Sequence, residues 1–330
     1  MRNGVSSSRV FCPAPADLPA TLQPQTLYDF LCNKFPHISP ATWQMRFEKG
    51  DIFSAQGNIL PLDAPYIARQ TVQYYRELPA EKPLPYLETI LYADEYIVVA
   101  DKPHFLPVIP SGQYVQETLL VRLKRKLNLP ELSPIHRIDR DTAGVVVFCV
   151  QKKYRAAYHA LFRLGQVQKI YVAIASTLGE AQKTKLAFSL PFKIENWLED
   201  DESFMQMRVK HREAEDCGDS GGSGSSNSGS KKKEMAVTHI VDMQPLPENP
   251  SLSRYTLQPK TGKRHQLRVH MMHLGIPILG DQIYPKLRIE RDIATGDHAP
   301  LQLLAKSIAF IDPITKKNRQ FDTARSLTLS

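Results

Sequence analysis

His136-Arg137-Ile138-Asp139-Arg140-Asp141-Thr142-Ala143-Gly144 runs directly into Val145-Val146-Val147-Phe148-Cys149-Val150. A polar, arginine-rich segment thus ends in glycine and feeds a continuous apolar run, the pattern of a loop entering a buried strand. Asp139 stands between two arginines. Nearby cations favour the ionised carboxylate, and a carboxylate held as the anion suits nucleophilic or base chemistry. The same pattern also fits a surface salt-bridge cluster at a strand entrance, where such pairs contribute little.

Two further segments bear on that choice. Gln168-Lys169-Ile170-Tyr171-Val172-Ala173-Ile174-Ala175 alternates as a strand does and sets one phenol beside one lysine. Taken alone, a tyrosine in a strand is more often a packing residue. Thr261-Gly262-Lys263-Arg264-His265-Gln266-Leu267-Arg268-Val269-His270 then leads into Met271-Met272-His273-Leu274-Gly275-Ile276-Pro277-Ile278-Leu279-Gly280-Asp281. Here basic, amide and glycine residues are packed densely and run into a Gly/Pro turn.

In this order the three segments resemble the RluA-type family of pseudouridine synthases. That family carries a pattern near HRLDxxTSG, a later KxY, and then TGRxHQIRxH…GxPIxGDxxYG. Asp101-Lys102-Pro103 resembles the start of the family's first catalytic-domain signature, and Leu301 to Pro313 its closing strand. The resemblance spans about Pro85 to Phe321, and several motifs in register are hard to obtain by chance. Ile138 stands for leucine, Ala143 for serine, Lys263 for arginine and Pro285 for glycine, none of which removes a group the chemistry needs. His104-Phe105-Leu106-Pro107 replaces residues that are usually small in the family, which changes the expected loop shape there.

The resemblance implies isomerisation of uridine in RNA: the bond from C1′ to N1 breaks, the base turns, and it rejoins through C5. It assigns Asp139 as the catalytic carboxylate, acting by attack on sugar or base or by assisting a deprotonation that leads to a glycal. Arg268 would pair with Asp139 and keep it anionic, and Tyr171 would stack on the extruded uracil. Arg137 would fill the space vacated by the flipped base. Arg140, Lys169, Lys263, Arg264, His265 and Gln266 complete the expected RNA-contact set, with Ile278 or Leu279 as an apolar wall of the uracil pocket. No cofactor and no metal are expected: the change is redox-neutral, and no GxxxxGK[ST] or strand-linked GxGxxG occurs. His265, His270 and His273 invite a metal-site reading, against which stands the lack of an acidic ligand at typical spacing.

Composition agrees with an RNA-modifying enzyme. The 330 residues suggest about two domains. Forty-two Lys plus Arg against 34 Asp plus Glu give a formal charge of +8, which favours polyanions through counterion release. Basic residues gather at Arg122 to Lys126 and again from Lys260 to Arg268. Cys12, Cys32, Cys149 and Cys217 form no C-x-x-C pair and no disulfide framework, which suits a reducing compartment. With no apolar leader and no membrane-length apolar run, the expectation is a cytoplasmic, monomeric protein that binds rRNA or tRNA and no membrane. The rival readings are a catalytically idle RNA-binding protein of the same fold and a metal-dependent phosphodiesterase.

Along the chain, residues 1–22 read as a flexible arm. Leu27, Phe30, Leu31 and Phe35 mark one helix, and Ser39-Pro40 caps a second. The sequence from Asp51 to Leu60 reads as strands around Gly57-Asn58. Residues 23–80 resemble an S4-type RNA-binding module, and a Pro-rich connector leads to the catalytic domain at 85–330. Strands outnumber helices there without βαβ alternation. The class is therefore α+β: a pseudouridine synthase fold with a mixed, mostly antiparallel central sheet flanked by helices, plus a small N-terminal S4-like α/β module. Residues 217–233, nearly all Gly, Ser and Lys, read as a disordered loop between two strands.

Overall fold

The computed structural model describes residues 4–5, 7–19, 22–75, 81–112, 114–201, 206–210, 234–286 and 299–328. The Gly/Ser/Lys segment at 217–233 lies outside the described residues. The chain divides into two compact units, residues 1–81 with 109–130, and residues 82–108 with 131–330.

In the first unit, strands β1 (Ser8–Phe11), β2 (Ile52–Ser54) and β3 (Thr71–Tyr74) form a three-stranded antiparallel sheet with β3 in the middle. Helix α1 (Leu27–Lys34) starts at Thr26, whose hydroxyl accepts from the Asp29 amide while the Asp29 carboxylate accepts from the Thr26 amide, a reciprocal cap. Helix α2 (Pro40–Glu48) starts at Ser39 with proline in its first turn. Leu27, Phe30 and Leu31 meet Trp43, Phe47 and Ile52 in one core. The expectation of a flexible arm over 1–22 is corrected for part of its length: β1 pairs with β3, and Val10 and Cys12 are buried in that core. Four residues are too few to show a period, and their partner lies some sixty positions later.

The domain boundary is corrected as well. Helix α3 (Leu119–Leu127) belongs to the first unit rather than to the catalytic one. Val5 packs with Val115 and Val121, and the Glu81 carboxylate accepts from the amides of Val115, Gln116 and Glu117 at 2.5–2.9 Å.

The second unit is built on one 11-stranded sheet. Its strands are β4 (Thr89–Ala93), β5 (Ile97–Lys102), β6 (Ser133–Pro134), β7 (Ala143–Cys149), β8 (Gln168–Ser176), β9 (Phe192–Asp200), β10 (Met207–Val209), β11 (Glu234–Leu246), β12 (Asn249–Pro259), β13 (Leu303–Ile311) and β14 (Asn318–Asp322). The order is β10-β9-β11-β12-β8-β13-β7-β5-β4, with β6 on β7 and β14 on β13. Every pairing is antiparallel except β13 with β7, so the sheet is mixed and mostly antiparallel. Helices α4 (Arg155–Arg163), α5 (Glu180–Leu186) and α6 (Gln266–His273) complete the unit. The whole of β7 is buried, as its unbroken apolar run requires. No helix of the described residues is long and apolar enough to cross a membrane.

Two glycines fix where the strands meet. Gly144 has φ +114°, and a Cβ there would lie 2.2 Å from the Ala305 carbonyl oxygen, so β13 reaches β7 only because position 144 has no side chain. Gly280 has φ +76°, and a Cβ there would lie 2.3 Å from the Pro300 carbonyl oxygen.

Candidate active site

The loop from Ile135 to Thr142 sits between β6 and β7 and is braced from beneath. Lys102, fully buried at the end of β5, donates through Nζ to the carbonyls of Pro103, Leu106 and Arg140 at 2.8–2.9 Å. Burial pulls its pKa down to about 7, against the pull of Asp141 and Asp139. The His104 Nδ1 lies 2.6 Å from the Asp141 carbonyl, and the Thr142 amide donates to the Asp139 carbonyl. A lysine and a histidine thus hold the carbonyls of the two residues that follow Asp139.

Helix α6 supplies the partner. It begins after His265, a non-glycine residue at φ +52°, and it sets Arg268 in the interior, where its side chain is 1% exposed. Arg268 Nη1 donates to Asp139 Oδ2 at 3.3 Å, and Asp139 keeps 30% of its side-chain surface. The same guanidinium is held by Asp281 through Nε and Nη2 at 2.8 and 2.6 Å. Asp281 and its neighbour Asp139 push the Arg268 pKa up, so the guanidinium stays charged despite burial.

Asp139, Tyr171 and Arg268 open onto one solvent-facing cavity. Tyr171 comes from β8. Burial first, and then the negative charge of Asp139, push its phenol up, so it is neutral at ordinary pH. Lys169, two residues earlier on the same strand face, donates to the Thr261 carbonyl at 2.8 Å, and burial lowers its pKa to about 8. Arg137, Lys263 and His265 also line the cavity.

Five expected positions differ. Arg140 and Arg264 do not line the cavity: Arg140 pairs with Asp141 at 3.1 Å, and Arg264 with Asp200 at 3.0 Å and the Gln206 carbonyl at 3.1 Å. Gln266 lines it, but its amide is fully used. Oε1 accepts from Thr261 Oγ1 and the Lys263 amide, and Nε2 donates to the Val237 carbonyl and Thr238 Oγ1, so it braces the 261–266 turn and has nothing left for RNA. Ile278 is buried in the core and Leu279 faces outward; Ile138, Leu267 and Leu303 supply the apolar lining instead. The histidines turn apart, His265 to Tyr284 and His270 to Thr238, and no metal-binding group of three His, Cys, Asp or Glu side chains occurs among the described residues.

Sequence reading gave no role to Lys102, Asp281 or Tyr284. Each lies in a quoted motif, but which group each one grips depends on tertiary approach.

The family model for RNA pseudouridylate synthase matches residues 96–273, more than half of the chain. The chain belongs to that family. As a pseudouridylate synthase it is an isomerase that converts uridine to pseudouridine in RNA. It is similar to the dual-specificity RNA pseudouridine synthase RluA of Haemophilus influenzae, 30% identical over 241 residues that cover 72% of this chain and 93% of that one. It is likewise similar to tRNA pseudouridine synthase C of Pasteurella multocida, 31% identical over 245 residues that cover 69% and 87%. Among solved structures, human RNA pseudouridylate synthase domain containing 4 superimposes with a TM-score of 0.50 at 25% identity, covering 72% of this chain and 88% of that one.

Proposed function

We propose that this pseudouridine synthase acts on structured RNA through Asp139, with ribosomal RNA the first target and transfer RNA the second. What carries the reading is the pairing of Asp139 with Arg268 at 3.3 Å in the cavity that Tyr171 also lines. Asp139 attacks the sugar or base, or assists a deprotonation that leads to a glycal; both routes start from the carboxylate. Tyr171 stacks on the extruded uracil, which is worth about 1–3 kcal/mol per base. Arg137, exposed at the cavity rim, fills the vacated place in the RNA. Lys169, Lys263 and His265 meet the phosphate and ribose around it.

The names of the relatives support both RNA classes, since one is named for dual specificity and another for tRNA. The segment 23–80 contributes as an S4-like RNA-binding module, which favours the ribosomal target. The enzyme works as a cytoplasmic monomer, with no cofactor and no membrane attachment. Tritium release from RNA labelled at uridine C5 tests this on separate ribosomal and transfer RNA fractions. Release by the wild type with none from Asp139→Asn is expected, while RNA affinity of that variant stays within a few fold, because the lost group acts on the base and not on phosphates. Equal release by the variant, or none by the wild type from any fraction, overturns the proposal.

A further inference from the structure

One buried guanidinium faces two carboxylates in this cleft, and it holds them unequally. Asp281 takes Nε and Nη2 at 2.8 and 2.6 Å, and its own side chain is 1% exposed. Asp139, 30% exposed, receives only Nη1 at 3.3 Å. Two near-parallel N–H···O bonds on a planar fork leave the guanidinium no freedom to rotate, whereas one longer bond fixes little. We infer that Asp281 is a positioning residue for the reaction at Asp139, holding Arg268 in a bidentate grip so that only Nη1 turns to the reacting carboxylate. The inference rests on the reading of Asp139 given above.

Asp281 is itself held in place. Its Oδ1 also accepts from the amides of Ile283 and Tyr284 at 2.8 and 3.0 Å. The preceding Gly280 presses against Pro300 too closely to carry a side chain. The Tyr284 ring lies 5.5 Å from the Arg268 guanidinium carbon, and its hydroxyl is fixed by the Met207 amide at 2.8 Å and His265 Nδ1 at 3.0 Å.

Charge gives the arrangement its purpose. On either route Asp139 gives up its negative charge during turnover, by bonding to carbon or by taking a proton. Were Asp139 the sole counterion of Arg268, each turnover would leave a buried cation unpaired, which is strongly unfavourable. With Asp281 in place the guanidinium keeps its counterion and position while the charge on Asp139 comes and goes, so the site is arranged before the reaction begins.

Asp281→Asn separates this role from the loop brace, because asparagine keeps one oxygen for the Ile283 and Tyr284 amides and loses the charge and the second acceptor. The expected result is a kcat lowered about 10- to 100-fold with KM for RNA within about threefold of wild type. Combined with Arg268→Lys, it should cost no more than the larger single loss, since both act through one group. A kcat within about threefold of wild type, or losses that multiply, overturns the inference.

A second measurement uses the protein without RNA. In guanidinium 1H–15N spectra the Arg268 Nε–H signal should exchange slowly in the wild type and in Asp139→Asn, and broaden or vanish in Asp281→Asn. Its persistence in Asp281→Asn refutes the grip. If the wild type isomerises no RNA, it is the reading of Asp139 that fails, and the spectra still decide whether Asp281 holds Arg268.

Discussion

His270 follows Arg268 by two positions on α6 and is wholly buried, with Nδ1 on Thr238 Oγ1 at 3.0 Å and Nε2 without a hydrogen-bond partner. Burial lowers its pKa from 6.5 to about 4, so the folded protein holds it neutral. In the unfolded chain the imidazole protonates near its ordinary value. Between about pH 6.5 and 4 the unfolded state therefore binds more protons, and stability falls as pH drops through that window, by on the order of 3 kcal/mol at its foot. His136, drawn down to about 3 by burial, adds in the same direction. The thermal midpoint should drop between pH 7 and 5 more steeply in the wild type than in His270→Gln; parallel curves would count against the assignment. At this scale the sequence was informative about which side chains share the cleft, because Asp139, Tyr171 and Arg268 each sit in a dense local motif. It was silent on what those side chains do to one another. Gln266 looked like an RNA contact and is saturated by the turn it closes, while Asp281, which had no role in the sequence reading, holds the central cation. A motif shows chemistry in a row, whereas hydrogen-bond partners are chosen in space.

At the scale of elements, the meeting of β7 and β13 sets the entrance to the Asp139 loop. Gly144 sits at the seam, with the Ala305 carbonyl occupying the place a Cβ would take. Gly144→Ala should destabilise the protein by roughly 3 kcal/mol or more, since the clash is with backbone and φ is positive as well. Its urea midpoint should fall, and the turnover of whatever remains folded should fall with it as the loop shifts; an unchanged midpoint would mean that β13 moves aside freely. Elements with a clear period or cap were legible in advance: α1 from its apolar face, α2 from its cap, β7 and β8 from apolar runs and alternation. Strands β1, β9 and β14 and helix α5 were not. β1 has one buried side chain in four, and β9 interrupts its alternation with an exposed Trp197 and two adjacent buried residues, Leu198 and Glu199, so the pattern that burial would write is diluted. The parallel contact of β13 with β7 spans more than 150 positions and leaves no local signal.

At the scale of the whole molecule, the chain is interleaved: residues 109–130 leave the sheet-bearing unit and group with the N-terminal one. A chain shortened to begin at Lys82 loses Val5 and the Glu81 carboxylate that caps three amides ahead of α3. In that fragment hydrogen exchange at Val115, Gln116 and Glu117 should rise toward unprotected rates while the amides of β7 stay protected; unchanged protection at all three would show that α3 needs no help from the N-terminal residues. The position of β13 has a consequence for the order of events in the cell. It lies between β8 and β7 in the sheet, yet it is made after both. At about 5–20 residues per second, roughly 7 to 27 s of synthesis separate Tyr171 from Ala305. During that interval the growing chain lacks Leu303, the residue β13 adds to the cavity lining, so the cleft is completed only in the last part of synthesis.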